Sequence, residues 1–347
     1  MTRIVLHDAA LADGSSYSLR LGVSLAIRDG RIEAIGPNDE IDQSGATVID
    51  AGGAVIVPGM VDCHSHLTMQ GGSHWIARGG DKPEVLRQVG RENAKRLVQA
   101  GVLWARDVGA PSSNGRPISL EVREELSGKA GNPYIRVAGT WIGKTGYPDM
   151  WVTTDDDGLA AAALHQLGLG TDFVKIYMDA PGGVKDSPFG VPAMTAMTKA
   201  VHARGGRVAC HSGYLDGARV AAAAGVDSIE HGMELDDDAA RTMKKNGVTL
   251  TSTLSVFASW ETFGRTTAIE RFTAEEGRQR IAKRKEGAYA SVAAAKRAGG
   301  ELLGDDHAGR IGPGMPADLV LVHGDPLSDA RALWRVWAVF QGGVRVA

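Results

Sequence analysis

The stretch Val-Pro-Gly-Met-Val-Asp-Cys-His-Ser-His, residues 57–66, decides the fold. An apolar run leaves a Pro-Gly turn, resumes, and ends in His64 and His66. Side chains alternate faces along a strand, so the two imidazoles share one side, as two ligands of one metal ion must. Cys63 and Cys210 each precede a histidine, and the same alternation turns both thiols toward an outer layer as packing residues. Two cysteines make no disulfide framework, which points to a reducing compartment.

Downstream, short β-rich runs alternate with longer helical stretches, the pattern of a parallel α/β barrel. The strands are expected at Val57–His64, Val102–Val108, Tyr134–Gly139, Asp172–Met178, Arg207–His211, Asp227–His231 and Val248–Leu254. Ala-rich stretches at Leu159–Leu167, Ala193–Ala203 and Leu215–Ala224 supply covering helices. The acidic runs Asp155–Asp157 and Asp236–Asp238 read as helix starts.

Both ends of the chain have a different texture. Arg3–Ala9, Leu19–Arg28, Arg31–Ile35 and Ala46–Val57 are apolar, partly alternating runs, with Asp29-Gly30 as a hairpin signal. Asp318–His323, Trp334–Phe340 and Val344–Val346 return to it. The expected organisation is therefore a composite β-sandwich from 1–57 and 309–347 around a barrel over 58–308.

With 347 residues, 43% apolar and 23% charged, the chain is long enough for one barrel plus a small appendage. A net charge of −3 without basic runs argues against nucleic acid. No secretory h-region or membrane-length apolar run is present, so a cytoplasmic protein without membrane partners is expected.

Three more residues extend the histidine signal. Lys175 sits mid-strand in Asp-Phe-Val-Lys-Ile-Tyr-Met-Asp, where a buried ammonium is costly. His211 ends Arg-Val-Ala-Cys-His, and His231 ends Val-Asp-Ser-Ile-Glu-His-Gly. Active sites of such barrels lie at the C-terminal ends of the strands. Tyr177, Tyr214 and His74 lie where a substrate could be bound, whereas Arg106 and Asp107 read as a structural polar pair. His165 and His202 fall on helix patterns, and His7 and His323 in the terminal β-layer.

These motifs resemble the amidohydrolase superfamily of metal-dependent hydrolases, over nearly the whole chain. The resemblance implies a TIM-like (β/α)8 barrel and two divalent ions, Zn²⁺ foremost, with Mn²⁺ or Co²⁺ as substitutes. His64 and His66 would bind one ion and His211 and His231 the other. Lys175, carboxylated by CO2, would bridge them. It also implies a strand-eight aspartate that accepts a proton from the attacking water. No residue fills that place: the helical region to Arg297 leads straight into Gly299-Gly300, where an eighth βα unit is missing, and Asp305 and Asp306 are the nearest candidate carboxylates.

The lysine-bearing strand points to the branch with imidazolonepropionase-like proteins and Xaa-Pro dipeptidases. The implied substrate is a small amide, such as a dipeptide or N-acyl amino acid, with a homo-oligomer possible. Open beside it stand a mononuclear deaminase or cyclic-amide hydrolase with unmodified Lys175, and a lactonase, ester or carbamate hydrolase. A metal-binding protein without turnover also stands open, should the aspartate be truly missing.

Overall fold

The computed structural model describes residues 3–147, 150–295 and 309–347; the expectations placed on Asp305, Asp306 and the 297–304 junction lie outside them. Strands β1 (Arg3–Leu11), β2 (Arg20–Arg28) and β3 (Arg31–Pro37) form an antiparallel meander. Asp29 and Gly30 turn between β2 and β3 with φ of 49° and 81°, the left-handed pair a two-residue hairpin requires. The expected single run Ala46–Val57 is two strands, β4 (Thr47–Asp50) and β5 (Val55–Pro58), both parallel to β1. Gly52 and Gly53, at positive φ, break it.

Gly59 alone separates β5 from β6 (Met60–Ser65), the strand that carries the first histidine pair. A Cβ on Gly59 would press to 2.8 Å from the Leu103 side chain, so the close approach selects glycine. Then come α1 (Trp75–Arg78), α2 (Pro83–Gln99), β7 (Val102–Asp107) and a two-residue ribbon, β8 (Ser112–Ser113) with β9 (Arg116–Pro117). Next are α3 (Ile118–Leu126), β10 (Tyr134–Val137), β11 (Ile142–Lys144), β12 (Val152–Thr154) and α4 (Leu159–Gly168). The alternation continues through β13 (Val174–Tyr177), α5 (Val191–His202), β14 (Val208–Ser212), α6 (Leu215–Ala224) and β15 (Ser228–His231). It closes with α7 (Asp237–Asn246), β16 (Thr249–Thr251), α8 (Ser255–Thr266), α9 (Glu270–Thr273) and α10 (Glu275–Ala295).

Apart from the antiparallel β8–β9 ribbon, every ladder from β6 to β16 is parallel, which right-handed βα units with short connections produce. Two sheets result, β10-β7-β6 and β12-β11-β13-β14-β15-β16. A backbone bond from Asp172 N to Val137 O, 2.9 Å, ties β10 toward β13. Among the described residues β6 and β16 each pair on one side only, and no eighth strand lies between them. Inside the helical shell, Val174, Ile176, Cys210 and Ile229 pack with Met194, Met197, Ala218 and Ala221. Cys210 is thus a core residue, as the alternation required. Asp236 caps α7 by accepting from Ala239 N at 2.8 Å.

The C-terminal strands β17 (Leu319–Val322), β18 (Val336–Gln341) and β19 (Val344–Arg345) return to the first sheet, with β17 antiparallel to β5. Both ends of the chain therefore share one eight-stranded sheet. Its faces divide by the two-residue period: Ile56, Leu319 and Leu321 join Leu6 and Leu25, while Val55, Val57, Val320 and Val322 face Val98, Leu103 and Trp104 of the α/β region. Among the described residues no helix is long and apolar enough to cross a membrane.

Candidate active site

Four imidazoles meet at the C-terminal ends of β6, β14 and β15. His64 and His66 stand with ring centroids 5.3 Å apart, His64 and His231 4.6 Å, and His211 and His231 4.5 Å. One nitrogen of each ring is engaged. His64 Nδ1 donates to Glu230 Oε2 at 2.6 Å, and His66 Nδ1 to the Gly109 carbonyl at 2.8 Å. His211 Nε2 donates to Asp179 Oδ2 at 3.2 Å, and His231 Nδ1 meets Thr253 Oγ1 at 2.8 Å. A carboxylate or carbonyl on one nitrogen fixes the tautomer and leaves the other with a free lone pair.

Burial keeps the rings neutral. It lowers His64 to about 4 and His66 to about 3, and holds His211 below and His231 well below the usual range. Neutral imidazole is the ligating form. Lys175 bears electrostatically on all four rings. Its Nζ is buried with no hydrogen-bond partner, and burial draws its pKa down to about 8 against the pull of Glu230. An orphaned amine among four neutral imidazoles is a donor set that fits divalent cations. Among the described residues no group of three or more His, Cys, Asp or Glu forms a metal cluster.

A buried ionic network supports the first pair. Glu230 Oε1 accepts from Arg106 Nη1 at 2.8 Å and from Ser228 Oγ at 2.6 Å, while Arg106 Nη2 donates to Ser228 Oγ at 2.9 Å. Burial alone would raise the Glu230 carboxyl, but Arg106, Lys175 and His64 hold it well below the ordinary carboxylate range. The expected Arg106–Asp107 pair does not form. Neighbours on a strand face opposite ways, so Arg106 turns to Glu230, while Asp107 accepts from Leu67 N (2.8 Å) and Gly109 N (3.0 Å). Gly109 has φ 132°, and a Cβ there would collide with the Trp141 ring.

His231 itself has φ 69°, a left-handed conformation rare for histidine. It breaks the strand period, so that Glu230 and His231, adjacent in sequence, both reach the cluster.

Aromatic rings line one side of the site. Tyr177 stacks on His211 with centroids 3.7 Å apart and planes 11° apart. Trp151 stands edge-on to Tyr177 at 4.7 Å, Tyr147 stacks on Trp151 at 4.6 Å, and Trp141 links Trp151 (5.2 Å) to His66 (5.7 Å). The wall thus runs from one histidine pair to the other. Tyr214 lies beside it, its hydroxyl 3.4 Å from Arg284 Nη2. His74 is exposed on its loop, its carbonyl accepting from Arg78 N at 3.1 Å. Sequence reading left out Glu230, Asp179, Trp141, Tyr147, Trp151 and Arg284. Only Glu230 had a usable signal, an acid next to a histidine in Ile-Glu-His-Gly.

A model of the amidohydrolase family matches residues 55–300. An uncharacterised protein of Mycobacterium tuberculosis is 29% identical over 241 residues, 67% of this chain and 57% of its own length. The imidazolonepropionase of Symbiobacterium thermophilum is 27% identical over 281 residues, 70% of this chain and 63% of its own. The chain thus spans about three fifths of the length of these curated relatives. A solved Xaa-Pro dipeptidase with bound methionine in the active site superposes with TM-score 0.84 at 22% identity over 99% of both chains. A prolidase complexed with N-methylphosphonate-L-proline gives 0.83 at 20%, again over 99% of each. At these identities the superpositions speak for the fold alone, an α/β fold of the TIM-barrel type.

Proposed function

Because the chain belongs to the amidohydrolase family, we propose that it hydrolyses a C–N bond in a small amide, a dipeptide or N-acyl amino acid. Its cofactors on this reading are two divalent ions, Zn²⁺ foremost, held by His64 and His66, by His211 and His231, and by a carbamate on Lys175. The observation that carries the reading is the buried, unpartnered Lys175 Nζ among four neutral imidazoles, each with one nitrogen free. Ions bound there would polarise the amide carbonyl and acidify a water molecule.

The chain's own groups do the rest. Burial draws the Lys175 pKa down, so the amine loses its proton more readily than a free lysine, and only the neutral amine adds CO2, losing a proton as the carbamate forms. Carboxylation also removes a cation that would repel metal. Glu230 and Gly109 hold the first two rings with Nε2 bare, and Asp179 holds His211 with Nδ1 bare. The aromatic wall excludes water from one flank and gives a flat surface to a substrate.

The test is metal content and amide turnover of Lys175→Ala. Both should collapse, by three or more orders of magnitude in turnover, and a short carboxylic acid should restore part. One ion per chain with activity indifferent to bicarbonate would instead mark a mononuclear enzyme. A full complement of ions without turnover on amide, ester or phosphotriester panels would mark a binding protein.

A further inference from the structure

Resting on the amide-hydrolase reading, we infer that the substrate is an amino acid acylated by a flat aromatic acid, whose ring lies on Trp141 and Trp151 and whose free carboxylate meets Arg271 and Arg284. The wall is built as a surface as well as a core. Trp141 is buried, but Tyr147, Trp151 and Tyr177 are only half-buried. Tyr147 is pinned by its hydroxyl, which donates to the Asp179 carbonyl at 2.7 Å, so its ring presents a fixed orientation. A flat ring placed against the wall meets further rings at stacking distance, with little side-chain entropy left to lose.

The charge lies at the other end. Arg271 on α9 and Arg284 on α10 have no ion-pair partner among the described residues. Their guanidinium groups rest instead against ring faces: Arg271 lies 6.0 Å from the Trp75 centroid and 5.9 Å from that of Trp260, and Arg284 lies 5.6 Å from that of Tyr214. Arg280 Nη2 donates to the Arg271 carbonyl at 3.1 Å, which adds a third cation to the group. Burial and the two neighbouring guanidiniums, Arg280 and Arg284, lower the Arg271 pKa, a repulsion that a bound anion would relieve. Arg284 Nη2 lies 3.4 Å from the hydroxyl of Tyr214, on the loop that follows His211, which brings the arginine group to the Tyr177 end of the wall.

The polarity of the substrate follows. An amide at the imidazoles has one part toward Trp141, beside His66, and the other toward Tyr177 and Tyr214, beside His211. The carboxylate of an N-acyl amino acid belongs to the leaving amine, so the amine part takes the arginine end and the acyl ring the tryptophan end. Hydrolysis places the water oxygen on the acyl carbon and breaks the C–N bond. An aromatic acid and a free amino acid result, the departing nitrogen taking a proton from the water.

The experiment uses the metal-loaded full chain and N-benzoyl derivatives of the common amino acids. The best of these is then compared with its decarboxylated amide and its N-acetyl counterpart. Each change should lower kcat/KM, loss of the carboxylate by on the order of 10- to 100-fold, as for a charge-assisted contact. In Arg271→Gln/Arg284→Gln the acid and its decarboxylated amide should come within about threefold of each other, with Arg284→Lys restoring part of the gap. Trp151→Leu should narrow the benzoyl-to-acetyl ratio, and circular dichroism checks that each variant folds. Turnover of neutral anilides or phenylureas without turnover of benzoyl amino acids would overturn the inference and leave the hydrolase reading standing. So would an acid-to-amide ratio unmoved by the arginine substitutions. No turnover on any C–N substrate would bring both down.

Discussion

The two histidine pairs are held by different supports. His64 and His66 are fixed by a buried carboxylate and a backbone carbonyl, and that carboxylate is itself neutralised by Arg106 from another strand. His211 and His231 are fixed by Asp179 and Thr253 and by the face of Tyr177. The first support is ionic and joins β6, β7 and β15. The second depends on single contacts with neighbouring strands and loops. Damage to the first pair should therefore register in global stability, whereas damage to the second should register in ligand binding.

The largest effect is expected from Glu230→Gln. It leaves the Arg106 guanidinium buried and uncompensated, which costs about 3–5 kcal/mol. Guanidinium chloride unfolding of the metal-free protein measures it, and a loss below about 1 kcal/mol would erase the contrast. Acid should reveal the same dependence. The Glu230 carboxyl is depressed in the folded protein, so its stabilisation is complete above the ordinary value of 4.5 and is lost as pH falls below it. The depressed imidazoles act in the same direction from higher pH: His64 and His66 begin to withdraw stability below 6.5, on the way to about 4 and about 3. Unfolding midpoints of the metal-free protein should therefore drop steadily from pH 7 to pH 4. A flat profile would show that the rings are not held neutral by burial.

Asp179→Asn comes next. On the proposed function it should weaken retention of the second ion by roughly 10–100-fold while shifting the unfolding midpoint little. Metal titration against a chelator reads it out. The smallest effect belongs to Thr253→Val, which removes one hydrogen bond from His231 and should cost about 1 kcal/mol. If Asp179→Asn unfolds the protein as readily as Glu230→Gln, the two supports are equivalent and the comparison fails.

Much of this was legible in the chain because the period of the strands survives in it. Val102, Tyr134, Asp172, Arg207 and Asp227 each open a run that folds within two residues of its expected bounds, the run from Val248 ends three residues early, and the alternation around Cys210 and His211 holds. Reading faltered where the period breaks. A left-handed backbone at His231 turns its ring inward beside Glu230, which a strict two-residue rhythm forbids. Arg106 finds Glu230 across 124 positions, a pairing no local pattern encodes. Trp141, Tyr147 and Trp151 come from a glycine-punctuated stretch whose strands, β11 and β12, are three residues long, too short for alternation to register.

The single residue between β5 and β6 has a consequence for synthesis. β5 is flanked by β1, which precedes it in the chain, and by β17, which follows the whole α/β region. A nascent chain emerging in order thus holds its first two imidazoles on a strand whose upstream half has one neighbour until Leu319–Val322 leaves the ribosome. Seating of the first two imidazoles is therefore tied to the arrival of β17, and a product terminated before it carries every proposed ligand without the brace that seats the first of them.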